Sequence, residues 1–358
     1  MRHAVIMAGG AGKRLWPASR QDKPKQLIPM IDGKSLLDVA VERLDGLFEP
    51  GQILIVTAAA YAEQIRSSFP ALPGGNVIGE PEGRDTAAAI ALAAEIIRAR
   101  DDDATMAVFT ADHIIRPVER FARCVQEAIE TAEAQPQALV TFGIRPTSPH
   151  TGLGYIHFGE RLGEGSARRV LGFKEKPDHH TARTYVESGQ YYWNSGMFVW
   201  RVDTIREVMA RFLPESAEKL ARVGDAAKAG KDITNLLAEV YPQLRRISID
   251  YAVMEKASDV LMVELTCQWL DVGSWPALAD VVDVDADDNA VVAPRAVVLD
   301  GSGNVIYSED GHLLAVVGMD DCIIVHTPDA TLVCNKSDSQ RLKELLDMVA
   351  GRFGSEYV

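Results

Sequence analysis

The sequence predicts an α/β protein: a mostly parallel sheet flanked by helices, followed by a small β-rich carboxyl-terminal domain that ends in a helix. Three observations predict it. Short apolar strands alternate with helical patterns through the first half, the first strand runs directly into a glycine-rich turn, and short β-like runs recur after residue 289. At 358 residues with 47% hydrophobic side chains the chain exceeds one ordinary core, so two domains are expected, 1–283 and 284–358.

Taken in order, strands are expected at Ala4–Ala8, Ile53–Thr57, Val77–Gly79, Met106–Thr110 and Ala138–Phe142, with helices at Ser35–Leu47 and Thr86–Arg100 between them. Right-handed crossovers then lay each helix on the sheet, and ligands sit at the carboxyl ends of the strands. The glycine turn and the Asp112 loop are accordingly expected at one rim. Strands at Gly154–Phe158, Arg169–Lys174 and Gly196–Trp200, with a polar helix from Asp178, read as an insertion on this unit. The acidic stretch Val281–Asn289 is the expected boundary. Beyond it come β-like runs at Ala290–Leu299, Val305–Tyr307, Leu313–Val317, Cys322–His326 and Thr331–Val333, without a clear period, and a helix from Ser337.

The turn after the first strand carries the strongest chemical signal. Val5-Ile6-Met7-Ala8 leads into Gly9-Gly10-Ala11-Gly12, then Lys13, Arg14, Arg20, Lys23 and Lys25 against the single acid Asp22. Glycines let several backbone N–H groups approach one anion, and the cations supply countercharge. The whole chain carries −14. A charge of that sign disfavours nucleic acid and anionic membranes, so one cationic loop points to a small anion instead. A Walker loop is excluded because Met7 and Arg14 stand where glycine and a hydroxyl are needed, and a dinucleotide fingerprint fails at Leu15.

Gly-Gly-x-Gly-x-Arg-Leu followed by Pro24-Lys25 resembles the signature of the sugar-1-phosphate nucleotidyltransferases. With Trp16-Pro17-x-Ser19-Arg20 and Pro24-Lys25-Gln26 it is similar to their mannose-1-phosphate guanylyltransferase branch, and further matching segments extend over most of residues 3 to 277. The resemblance implies a Rossmann-like nucleotidyltransferase domain, a short left-handed β-helix at the carboxyl end and a homodimer. It also implies transfer of GMP from GTP to α-D-mannose 1-phosphate, giving GDP-mannose and pyrophosphate.

Attack of one phosphate on another needs charge neutralisation and positioning. Asp112 in Thr110-Ala111-Asp112-His113 and Asp271 in Trp269-Leu270-Asp271-Val272-Gly273 offer the oxygen donors that hard Mg²⁺ prefers, and both match the family's metal-binding aspartates. His113 is read as a neighbour rather than a ligand. Arg14 and Lys25 match the family's essential arginine and lysine. Ala8, Gly9, Gly10, Gly12, Lys13 and Asp112 are expected at the nucleotide. Asp85 and Thr86, in Glu80-Pro81-Glu82-Gly83-Arg84-Asp85-Thr86, resemble the base-reading segment, although the family more often has Asn at 85, and Asp85 could instead cap the helix. Gly154, Glu175, Lys176 and Asn194 match the positions that hold the sugar and its phosphate.

Other classes find less support. Cys124, Cys267, Cys322 and Cys334 form no C-x-x-C pair, so free thiols are expected rather than zinc or disulfides. No Gly-x-Ser-x-Gly or His-Glu-x-x-His pattern occurs, and His179-His180 reads as solvated. The absence of a long apolar run makes the cytoplasm the expected compartment. The end at Val358 leads to the expectation of no phosphomannose isomerase activity, which some family members carry in a further domain. Two alternatives remain open: transfer to another sugar 1-phosphate, of heptose or glucose type, and a sugar-nucleotide sensor without turnover.

Overall fold

The computed structural model describes residues 1–10 and 12–358, so Ala11 of the glycine turn lies outside the described residues. The first expected strand, β1 (Arg2–Ala8), is joined by β2 (Ile53–Ala58), β3 (Val77–Glu80) and β4 (Thr105–Thr110) in the spatial order β3-β2-β1-β4, all parallel. These are nearly continuous apolar runs, as strands covered on both faces must be. The sheet continues through β5 (Leu139–Ile144), β6 (Tyr155–Arg161), β7 (Arg168–Lys174), β8 (Tyr191–Arg201) and β9 (Val260–Glu264) in the order β4-β8-β5-β9-β7-β6. Because β8 runs antiparallel to both β4 and β5, the parallel arrangement holds for the first four strands and the rest is mixed.

Packing divides the chain into two compact units. The first comprises Met1–Gly9, Arg43–Thr110 and Arg116–Cys267; the second comprises Gly10–Glu42, Ala111–Ile115 and Gln268–Val358. The expected cut at 283/284 runs inside the second unit. The reason is a shared core: Leu15, Trp16, Val272 and Trp275 cluster with Tyr307, Ile323 and Val325 of the carboxyl-terminal strands.

Within the first unit, the helix Asp85–Arg100 is buried at every residue from Ala87 to Ile97. Its run of alanines lets it lie close to the sheet while the helices Val202–Phe212 and Pro214–Lys228 pack against it. Its buried Glu95 is paired by Arg98 and Arg206, at 2.8 and 2.7 Å, which offsets the burial of charge. The helix Val118–Ala134 instead buries one stripe, Phe121, Cys124, Val125, Ala128, Ile129 and Ala132, at helical spacing.

The expected helix Ser35–Leu47 is shorter, Leu36–Glu42. Ser35 and Asp38 exchange hydrogen bonds at its start, and Gly46, with φ of +75°, turns the chain just beyond it. His179 and His180 begin the helix His179–Ser188 and are exposed, while Asp178 caps it by accepting from Thr181 N at 3.0 Å.

In the second unit, strands Ala290–Val292, Val305–Ser308 and Cys322–Thr327 pair in parallel, and Ala296–Leu299 pairs in parallel with Leu314–Val317. This is a β-helix-like stack. Asn304 Nδ2 donates to Asn289 Oδ1 at 2.9 Å, and Asn304 Oδ1 accepts from Cys322 N at 2.9 Å, so buried asparagines tie successive turns. All four cysteines are free, and burial pushes the Cys267 thiol up to about 12. No helix among the described residues is long and apolar enough to cross a membrane.

Candidate functional site

The second unit gathers the groups suited to phosphate and metal. Gly12 has φ of +64°, and a Cβ there would lie 2.5 Å from Lys25 Cβ, so the turn can close over the lysine stem only with glycine. Ser19 Oγ donates to Gly12 O at 2.6 Å and Gln26 Nε2 to Gly10 O at 3.3 Å, which fixes the turn from below. Lys13 and Arg14 follow in a short helical turn whose Leu15 is buried as an anchor, leaving both cations exposed.

Lys25 Nζ donates to Asp112 Oδ2. Burial opposes the charge of Asp112, yet the ammonium beside it holds the carboxyl well below the usual carboxylate range. Asp271 ends the strand Gln268–Asp271, which pairs with the strand His113–Arg116, and Val272 N donates to Asp112 O at 3.1 Å. A Cβ added at Gly273 would lie 3.4 Å from Asp271 Oδ1 and 3.7 Å from an Arg14 guanidinium nitrogen, so the bare glycine keeps an open space between anion and cation.

Ligand atoms of Asp112, His113 and Asp271 all lie within 4.8 Å of one another. The two carboxylates supply the oxygen donors that a hard divalent cation prefers, and they lie close enough to close on one ion with a small side-chain adjustment. His113 is engaged elsewhere: its Nδ1 accepts from the Trp269 indole at 3.1 Å.

The first unit holds the expected sugar residues together. Glu175 is buried, its Oε1 accepts from Lys176 Nζ at 2.8 Å, and among the described residues Oε2 is buried without a hydrogen-bond partner. That oxygen faces Gly154, where an added Cβ would collide with it and lie 3.2 Å from Asn194 Cβ. Asn194 Oδ1 accepts from Thr141 Oγ1 at 3.0 Å, and its Nδ2 donates to Asp250 Oδ1 at 2.9 Å. Asn194 therefore stands fixed by the protein rather than open on both sides. Asp250, which the sequence did not single out, is pushed up to about 7 by burial and by the neighbouring Glu175 charge.

The expected base-reading residues also lie in this unit. Ala8 O accepts from Thr57 Oγ1 at 3.1 Å, and a Cβ on Gly9 would lie 3.6 Å from Glu80 Oε2. Glu80 accepts from the Tyr241 hydroxyl, and burial pushes its carboxyl up to about 7. Thr86 Oγ1 accepts from Ile249 N at 2.9 Å. Asp85 makes no cap: it has φ of +58°, is exposed, and pairs with Arg246 at 3.4 Å. Asp and Asn tolerate that left-handed conformation better than most residues. Glu80 ends its strand and is buried, and the burial of a lone carboxylate leaves no mark in the linear sequence.

Residues 3–288 match the family described as Nucleotidyl transferase, and residues 294–348 match one described as MannoseP isomerase/GMP-like beta-helix domain. A Klebsiella pneumoniae protein named mannose-1-phosphate guanylyltransferase is 39% identical over 361 residues, covering 99% of this chain and 75% of its own length. An Escherichia coli protein of the same name is 38% identical over the same shares. A solved structure from Thermus thermophilus, named a mannose-1-phosphate geranyltransferase, is 36% identical with a TM-score of 0.87, covering 97% of this chain and 99% of that one.

Proposed function

We propose, for a chain that belongs to the nucleotidyl transferase family and within it to the mannose-1-phosphate guanylyltransferases, that it transfers GMP from GTP to α-D-mannose 1-phosphate. A phosphate oxygen of the sugar phosphate attacks the α-phosphorus in line. The bond from that phosphorus to the bridging oxygen breaks, its electron pair leaves with pyrophosphate, and GDP-mannose remains. No covalent enzyme intermediate is needed.

The observation that carries this reading is the grouping of Asp112 and Asp271 with Lys25 and Arg14. A sensor that only binds has no use for two neighbouring carboxylates beside two phosphate-binding side chains. A divalent cation held by the two aspartates, Mg²⁺ in this reading, would supply neutralisation of phosphate charge. Lys25 keeps Asp112 ionised and has further N–H donors for a phosphate oxygen, while Arg14 can grip the leaving pyrophosphate in a fork. Gly10, Gly12 and Lys13 would cradle the triphosphate.

On the sugar side, Glu175 Oε2, which has no hydrogen-bond partner among the described residues, is an acceptor suited to hydroxyl donors, Gly154 makes room for the ring, and Lys176 supplies charge for the sugar phosphate. Guanine presents N1–H and N2–H₂ donors, so its pocket needs acceptors, and Glu80 near Ala8 and Gly9 is the candidate, with Asp85 and Thr86 framing the segment. An exposed apolar stripe, Val297, Leu299, Ala315 and Val317, lies on the paired strands of the β-helix-like stack and supports a second copy as partner. The reading keeps 1–283 as the catalytic part, and the cytoplasm as its place.

The test is pyrophosphate release with each nucleoside triphosphate paired with mannose, glucose and heptose 1-phosphates, with Mg²⁺ present or chelated. Release is expected with GTP and mannose 1-phosphate only when Mg²⁺ is present. A better rate with another sugar would change the acceptor, and no release with any pairing would leave the sensor.

A further inference from the structure

We propose that Trp269 locks His113 in the tautomer whose ring proton sits on Nε2, so that His113 steadies the Asp112 carboxylate and offers no lone pair to a metal ion. The proposal rests on the metal-clamp reading above, but the lock itself exists without metal.

An indole N–H can only donate. Trp269 Nε1 lies 3.1 Å from His113 Nδ1, so Nδ1 must present its lone pair; a proton there would meet the indole proton head-on. The neutral ring has one proton left, and it belongs on Nε2. That nitrogen stands 3.9 Å from Asp112 Oδ1, where its N–H dipole attracts the carboxylate charge. Both side chains are buried, and their rings meet edge to face with centroids 4.8 Å apart at 71°. Water therefore has little access to replace the indole as partner.

The placement matters because of where the two residues sit. His113 adjoins Asp112, and Trp269 is two residues before Asp271 on the strand paired with it. The indole–imidazole link thus joins the strand that ends in Asp271 to the strand that begins one residue after Asp112. With Nε2 protonated, the cluster offers oxygen donors alone and suits a hard cation; with Nε2 bare, it becomes an Asp-His-Asp set that suits zinc. His113 is in this sense a positioning residue, and Trp269 sets the cation preference from one shell further out.

The experiment uses the full chain with ¹⁵N-labelled histidine, first without metal. Nuclear magnetic resonance of the His113 ring should show an unprotonated Nδ1 accepting a hydrogen bond and a protonated Nε2. Trp269→Phe keeps an aromatic ring and removes the donor. It should give a mixture of tautomers and tighten Zn²⁺ binding at least about tenfold by calorimetry, with Mg²⁺ binding changed less than about threefold. A protonated Nδ1 in the unaltered chain, or Zn²⁺ perturbing His113 Nε2 there as strongly as in Trp269→Phe, would overturn the lock. If Mg²⁺ bound to neither protein the clamp reading would fall, while the tautomer would still decide the lock.

Discussion

Carboxyl groups penalised by burial behave oppositely in the two units. In the first unit Glu80 and Asp250 are pushed up to about 7, and the hydrogen-bond donors on them are neutral, the Tyr241 hydroxyl and the Asn194 amide. In the second, Asp112 is held well below the usual range because Lys25 stands on it. The partner, not the depth, decides the charge. A carboxyl near neutrality suits a pocket for hydroxyls, and one locked as an anion suits a cation and the phosphates it accompanies.

The sharpest way to break this contrast is to remove an anion from the second unit. Asp271→Asn should lower turnover at least about a hundredfold in a pyrophosphate-release assay, with the fold intact by circular dichroism, since it removes a principal electrostatic group. Near-normal turnover with full Mg²⁺ dependence would take Asp271 out of the mechanism.

A smaller effect is expected in the first unit. Gly154→Ala puts a methyl group against Glu175 Oε2, so kcat/KM for the sugar phosphate should fall about ten- to a hundredfold while the KM for nucleotide stays near its original value. Equal losses for both substrates would show that Gly154 serves the fold rather than the sugar.

The smallest effect is on stability. The folded pKa of Asp250 lies above its ordinary value, so the folded chain binds the extra proton; that contribution is complete at low pH and is lost as pH rises through about 7. Glu80 acts in the same direction. Buried His3, whose pKa is lowered, acts in the opposite one, costing stability as pH falls below its ordinary value. Asp250→Asn keeps an acceptor for Asn194 and should remove roughly half of any fall in Tm between about pH 5 and pH 8. An unchanged pH profile would mean that Asp250 is already ionised.

The parallel strands and the glycine turn were legible because their signals are local: apolar runs, glycines, and cations within a few residues. The sugar-side strand was only half legible. Gly196–Trp200 reads as a strand, but β8 begins at Tyr191, and Asn194-Ser195-Gly196 looks like a turn because Gly196 has φ of +69° and the pairing with β5 shifts register between Asn194 and Phe198. The stacked turns of the carboxyl-terminal strands showed no period because equivalent residues Ala290, Val305 and Ile323 are 15 and then 18 positions apart (290 to 305, 305 to 323). Asp250 and Trp269 were silent for another reason: their partners Asn194 and His113 are 56 and 156 residues away. Such roles come from tertiary pairing alone.

The indole of Trp275 donates to Trp16 O at 2.9 Å and its ring lies 5.1 Å from that of Tyr307. The cationic turn is thus footed on the tail end of the polypeptide. Severing the chain after Asp283 would strip away Tyr307, Ile323 and Val325, leave the greasy underside of the turn in water, and invite clumping before any chemistry could be measured. Anyone wishing to study the catalytic half in isolation should expect to carry the tail along with it.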